Sequence, residues 1–405
     1  MQQTRVQPAR ALDATFNRIQ RGALIVAGVG LLVVIIGALF DLGQFMRAYL
    51  YAYLFWLGIS LGSLAWLLIF HLTGGAWGVA MRRVLEANIL VLILMALLFV
   101  PLVFGVPLLY PWARPEVRAV DPLLQYKFPY LNVPFFLGRA VGYFVIWIGV
   151  ALLLTRWSRQ QERATDAEDR AAIATRLRQF GGPGVVLYGL TMTFAAFDWT
   201  MSLEPHWFSS IYGVMIIAGQ VLTAMAFAIV VLAWLTPRSV LGQFMTDQHF
   251  NDLGNFLLGA TLFWMYIAFC QFLIIWSGNL PEEVVWYLAR LEGGWVWVAV
   301  VLLLFHFALP FAILLSARLK RNANRLAAVA GALLAADLLH LYWLVEPAFH
   351  PGDFALNWLA LVTPFAIGGI WLYVFLWWFR RRPLLPPHTE AVQELTFQEV
   401  ASDAR

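Results

Sequence analysis

The stretch FDWTMSLEPHWFSSIYG, residues 197–213, closes one apolar run and opens the next. It holds Asp198, Glu204, Pro205, His206, Trp199 and Trp207 beside residues greasy enough to lie in a bilayer. Proline after Glu204 disfavours further helix. That puts the glutamate and the tryptophans at headgroup level, where both are well solvated. Asp198, one and a half turns earlier, has no such explanation. A related pattern recurs farther on: DWTMSLEPHW (198–207) matches HLYWLVEPAF (340–349) in Leu or Val, Glu-Pro, and an aromatic two residues later. Both segments end an apolar run in the same direction, so the pattern reads as a parallel internal repeat.

Composition widens that reading. The 405 residues are 61% hydrophobic and only 12% charged, with mean hydropathy +0.74. Soluble domains carry roughly 25% charged residues, so the chain is expected to be an integral membrane protein. Ten apolar segments, near 22–41, 48–72, 86–105, 134–155, 183–203, 209–235, 250–277, 294–317, 325–345 and 354–379, are each long enough to cross about 30 Å of hydrocarbon. Alternating the segments puts 21 of the 27 lysines and arginines on the side of the N-terminus. That asymmetry predicts ten spans with both termini cytoplasmic. The polar start is too long for a secretory signal, so the first helix is expected to be retained.

The expected fold is all-α: a multi-pass membrane protein with ten transmembrane helices, two four-helix bundles plus two flanking helices. Residues 1–21 form a cytoplasmic segment and 22–47 the first flanking helix. Residues 48–203 and 204–345 form the two four-helix units. Residues 346–379 form the second flanking helix and 380–405 a polar cytoplasmic tail. The charged stretch 156–182 suggests an amphipathic surface helix, with Gly181-Gly182-Pro183-Gly184 as a turn leading into span five. The Pro-, Tyr- and Trp-rich stretch 106–133 suits interface anchoring or a docked partner.

Ionisable residues at depth are the candidates for chemistry. Asp198 lies about 24 Å along span five from Gly182, and on span nine Asp337 and His340 lie about 18 and 22 Å from Arg325, at ~1.5 Å per residue. Asp337 and His340 are three apart and share one helix face. His306 sits midway along span eight. Such groups are usually paired, protonated or beside water. Asp198, His306, Asp337 and His340 are therefore candidates for a proton path, with Glu204 and Glu346 at its outer mouths. Thr191, Thr193 and Tyr342 are possible hydrogen-bond carriers. The bland alternative is that each side chain makes an interhelical hydrogen bond. Arg139, near the outer end of span four, is read either as a snorkelling arginine or as the partner of Asp198 or Glu204; Asn132 is its helix's N-cap. His206, His249 and His350 fall in loops.

Other chemistry is set aside. The single cysteine, Cys270, excludes an internal disulfide and a self-contained iron–sulfur cluster. No CxxCH attaches a c-type haem. His306 and His340 lie at similar depth, but buried histidines more often hydrogen-bond than hold haem. No metalloprotease, phosphate-loop, hydrolase or dinucleotide motif is present. The net charge of +4 sits in loops and ends and gives no sign of nucleic-acid binding.

Three segments, YLNVPFFLGRAVGYFVIW (130–147), FDWTMSLEPHWFSSIYG (197–213) and FWMYIAFCQFLIIWSGNLPEEVVWY (263–287), resemble the F subunit of alternative complex III. That complex is a bacterial quinol:cytochrome c oxidoreductase, and its F subunit is grouped with the NrfD and polysulfide-reductase membrane subunits. The resemblance covers nearly the whole chain. It implies two four-helix bundles with two flanking helices, a place in a bacterial inner membrane, and no cofactor in this chain. Quinol, c-type haems and iron–sulfur clusters would belong to partners: a homologous ten-span quinol-binding subunit, an iron–sulfur subunit, and multihaem and monohaem cytochromes c. This chain would supply scaffolding and a proton path. Two alternatives remain, a stand-alone proton-coupled transporter and a quinone-binding anchor of a polysulfide-reductase-like enzyme. Transporters tend to have paired mid-membrane helix breaks. Here Gly and Pro lie mostly at span ends, Pro310 and Pro364 excepted.

Overall fold

The computed structural model describes residues 9–384; residues 1–8 and the tail from 385, where much of the expected cytoplasmic termini falls, lie outside it. Among the described residues every regular element is helical. The protein is an all-α, multi-pass membrane protein. Nine helices are individually long and apolar enough to span: Leu12–Phe40, Leu42–Thr73, Val133–Arg163, Ala167–Leu203, Tyr212–Arg238, Asp247–Gly278, Trp295–Leu314, Ala323–Ala348 and Trp358–Phe379. A pair, Trp77–Leu98 and Val100–Leu109, bent by 55°, counts as the tenth, span three, when the two are taken as one crossing. The break falls just before Pro101, whose ring cannot donate to the carbonyl four residues back. This interior break was not among the expected irregularities, whereas a π-helical turn at Leu303–Ala308 in span eight lies just before the expected Pro310. They fall on spans three and eight, which the repeat does not make equivalent, so they are not the paired breaks typical of transporters.

Spans two and six form the centre. In span two, 89% of the apolar window is buried, against 28% in span one. Span two packs on spans five, six and nine, and span six on spans five, seven and nine. Spans one and ten lie against each other, Gly30 against Ala366 and Gly369 against Ala23 and Ala27. Small residues permit such close approach, which drives helix association where lipid removes the hydrophobic incentive. Polar side chains then fix partners: Asn88 donates to Ser63 at 2.8 Å, Tyr188 to Gln220 at 2.8 Å, and Trp66 to the Val221 carbonyl at 2.8 Å.

Spans two and six approach closely at Gly62, where an added Cβ would run into the Gln220 backbone of span six. Gly62→Ala is therefore expected to lower the yield of folded protein, with overpacking of about 1–3 kcal/mol. Gly28→Ala, with open space around the new methyl, should be silent. Fluorescence-detected size exclusion of both variants in mild detergent checks this; matching monodisperse peaks would refute the close contact.

Two expectations about span boundaries change. The stretch 156–182 is no separate surface helix. Span four runs on to Arg163 and span five starts at Ala167, because nothing in the charged sequence between them breaks a helix except the short turn at 164–166. Gly181-Gly182-Pro183-Gly184 is accordingly inside span five and not a turn. Its glycines let the helix press on span two, Gly181 against the Leu68 carbonyl and Gly184 against the Leu68 side chain. His249 likewise is not in a loop. It is the third residue of span seven, in a reciprocal capping arrangement with Thr246.

Candidate functional site

The six candidate residues divide into two groups. Three of them meet: His306, Asp337 and His340. Span nine brings Asp337 and His340 to the interior on one face, 4% exposed each. Span eight supplies His306, fully buried, from its π-helical turn. Pro310 lies four residues after His306 and has no N–H to return to the histidine's carbonyl, a local cause for the widened turn. His306 Nε2 lies 3.8 Å and His340 Nδ1 3.7 Å from Asp337 Oδ1. These separations exceed a direct hydrogen bond. Both ring nitrogens of His306, Nδ1 of His340 and Oδ1 of Asp337 are buried without a hydrogen-bond partner. Trp264 of span seven lies over His306 at 3.9 Å between centroids and edge-on to His340 at 5.0 Å. Among the described residues the histidines are the only basic groups within ion-pair distance of Asp337.

Two spaces meet at this cluster. An enclosed cavity of about 20 Å³ is lined by Gly219, Gln220, Thr223, Thr200, Asp337 and His340. It has room for one water molecule and enough polar walls to hold it. On the other side, His340 joins Trp264, Trp286, Tyr287 and Trp343 around a wide apolar cleft of about 400 Å³. His340 thus borders both. The three donor atoms also lie within 4.8 Å of one another, a His₂Asp set of the kind that holds zinc-type ions. The cluster can therefore exchange protons or ligate a metal.

The other three candidates are tied into ion pairs. Asp198, 0% exposed, takes two bonds from Arg139, 2.8 Å from Nε and 2.7 Å from Nη2, and one from the Tyr143 hydroxyl at 2.8 Å. Of the two readings of Arg139, the structure selects the partner of Asp198. Asn132 caps its helix by accepting from the Phe135 N–H. Beside the pair, burial and then the Asp198 carboxylate push the Tyr130 hydroxyl up to about 12. Glu204 pairs with fully buried Arg290, which also donates to the Leu344 carbonyl at 2.9 Å and lies over Trp286. Glu346 lies 3.7 Å from Arg47 and 3.6 Å from His350. The stretch 106–133 folds over this end in short helices: Trp112 is buried and donates to Ser202, and Lys127 bonds the Pro205 carbonyl. Burial there lowers the Lys127 ammonium from its ordinary range. Thr191 and Thr193 bond their own helix backbone, and Tyr342 the Ala355 carbonyl, so none of them extends the cluster.

A second ionic centre was not singled out in the sequence. Glu86, 2% exposed, is met by Arg82 at 2.9 Å, Arg83 at 2.7 Å and Arg382 at 2.6 Å, and by the Ser158 hydroxyl. Glu162 joins through Arg83 at 2.6 Å. The signal was present as Arg-Arg three and four residues before a glutamate, at the edge of an apolar run. This knot gathers the start of span three and the ends of spans four and ten, three places that the ten-span count puts on one side.

In comparison with known proteins, no family model matches the chain and no curated protein matches it.

Proposed function

We propose that this chain is an integral membrane subunit, without a redox centre of its own, of a bacterial quinol:cytochrome c oxidoreductase of the alternative complex III type. In this reading it scaffolds the membrane arm and exchanges protons through His306, Asp337 and His340. The observation that carries the proton role is the position of His340 between the water-sized cavity and the apolar cleft, beside a buried acid whose only basic neighbours among the described residues are histidines. Intramembrane acids and histidines that lack a fixed counter-charge are the groups that proton relays use. The complex membership rests on the three resembling segments. The cytoplasmic placement of the termini rests on the asymmetry of basic residues, and the inner-membrane location on the resembling segments. A second reading, a quinone-binding anchor, draws on the cleft itself, whose size and aromatic walls suit a lipid-soluble ring.

The test is purification of this chain from native membranes in mild detergent, with mass spectrometry of the co-purifying proteins and a reduced-minus-oxidised spectrum. Co-purifying c-type cytochromes, an iron–sulfur chain and a ten-span sister are expected. A lone chain without visible absorbance would overturn the assignment and favour proton-coupled transport.

A further inference from the structure

We infer that the groove between spans three, four and ten, at the end of the molecule holding the Glu86 knot, is a binding site for an anionic phospholipid. Arg156, Arg159 and Arg163 line it on one side, at helical spacings that put them on one face of span four. Leu152 of the same helix, Leu90 of span three and Trp378 of span ten supply its apolar lining, and the groove has a volume of about 490 Å³. All three arginines are exposed, and among the described residues none has an ion-pair or hydrogen-bond partner. The carboxylates of the adjoining knot are already committed: Glu86 to Arg82, Arg83 and Arg382, and Glu162 to Arg83. The groove therefore keeps its positive charge.

Charge and apolarity are ordered along one helix, and this selects the occupant. Leu152, 48% exposed, faces outward one turn before Arg156, so span four passes from lipid-facing to cationic within the groove. A soluble anion or an acidic peptide would gain nothing from Leu152 and Trp378. A phospholipid matches both halves, its phosphate among the arginines and an acyl chain along the apolar wall. Basic pockets between transmembrane helices at the membrane boundary take such headgroups. The wall is also fixed before binding: Thr155 lines the groove and its carbonyl accepts from Arg382 at 3.1 Å, which ties span four to the end of span ten.

The test uses the full chain in nanodiscs containing phosphatidylglycerol and phosphatidylcholine, with retained lipid read by native mass spectrometry after release. Phosphatidylglycerol enrichment is expected, falling about a hundredfold in the Arg156→Gln/Arg159→Gln/Arg163→Gln variant, as three charges near a membrane surface imply. The corresponding triple Lys variant should keep most of it and shows that the backbone tolerates change there. Equal enrichment in the native chain and the Gln variant would overturn the site. The segment 385–405 carries Glu390, Glu394, Glu399 and Asp403 and is the competing occupant. Enrichment seen only in a chain ending at Leu384 would assign the groove to that tail and overturn the proposal.

Discussion

Arg139→Ala is expected to destabilise the folded protein by about 3–5 kcal/mol. Asp198 is fully buried, and two of its three side-chain hydrogen bonds come from Arg139. Removing the guanidinium leaves a carboxylate at depth with one tyrosine hydroxyl, and a buried charge without its partner is far costlier than the intact pair is stabilising. The double variant Arg139→Met/Asp198→Leu removes both charges and should recover most of the loss. Reversible unfolding of detergent-solubilised protein, run as a double-mutant cycle, measures the difference. A loss below about 1 kcal/mol in the single variant would mean that water reaches Asp198, and the closed pair described here would be wrong.

Glu86→Ala should have an effect of similar size, about 3–5 kcal/mol, at the opposite end of the bundle. Three arginines converge on that carboxylate, and only Glu162 would remain to face them. Arg382 and Pro383 are held by the same knot, since Arg83 donates to the Pro383 carbonyl at 2.8 Å. The end of span ten should therefore loosen before the bundle unfolds. Trypsin cleavage after Arg380 or Arg381 is the readout, because local opening controls proteolysis. Faster cleavage in Glu86→Ala than in Glu86→Gln, which keeps the shape and some hydrogen bonds, supports the knot. Equal, slow cleavage in all three proteins would show that the end of span ten is held by apolar packing alone.

The all-α membrane fold and most span positions were legible because bilayer thickness imposes a run length that can be counted directly. Interior irregularities were harder to see. Pro101 and Pro310 announce lost hydrogen bonds, but whether a helix bends or widens into a π turn depends on neighbours such as Trp264. Gly181–Gly184 misled for a related reason. Locally it reads as a turn, whereas its glycines answer to Leu68 of a helix far away in sequence. Depth alone found His306, Asp337 and His340 as a set, since ionisable groups are costly there. It could not distinguish them from Asp198, whose partner Arg139 comes from a different span. Glu86 was passed over because arginines beside a glutamate at a helix start ordinarily face water; the arrival of Ser158 and Glu162 from span four and of Arg382 from the end of span ten makes the place an interior one.

The central claim is that His306, Asp337 and His340 carry protons. The most direct measurement is the proton-to-electron ratio of the purified complex in sealed vesicles, with native chain and with Asp337→Asn. The account predicts that the variant assembles, because no fixed cation loses its partner, and that its ratio falls while electron transfer from quinol continues. An unchanged ratio at full turnover would contradict it.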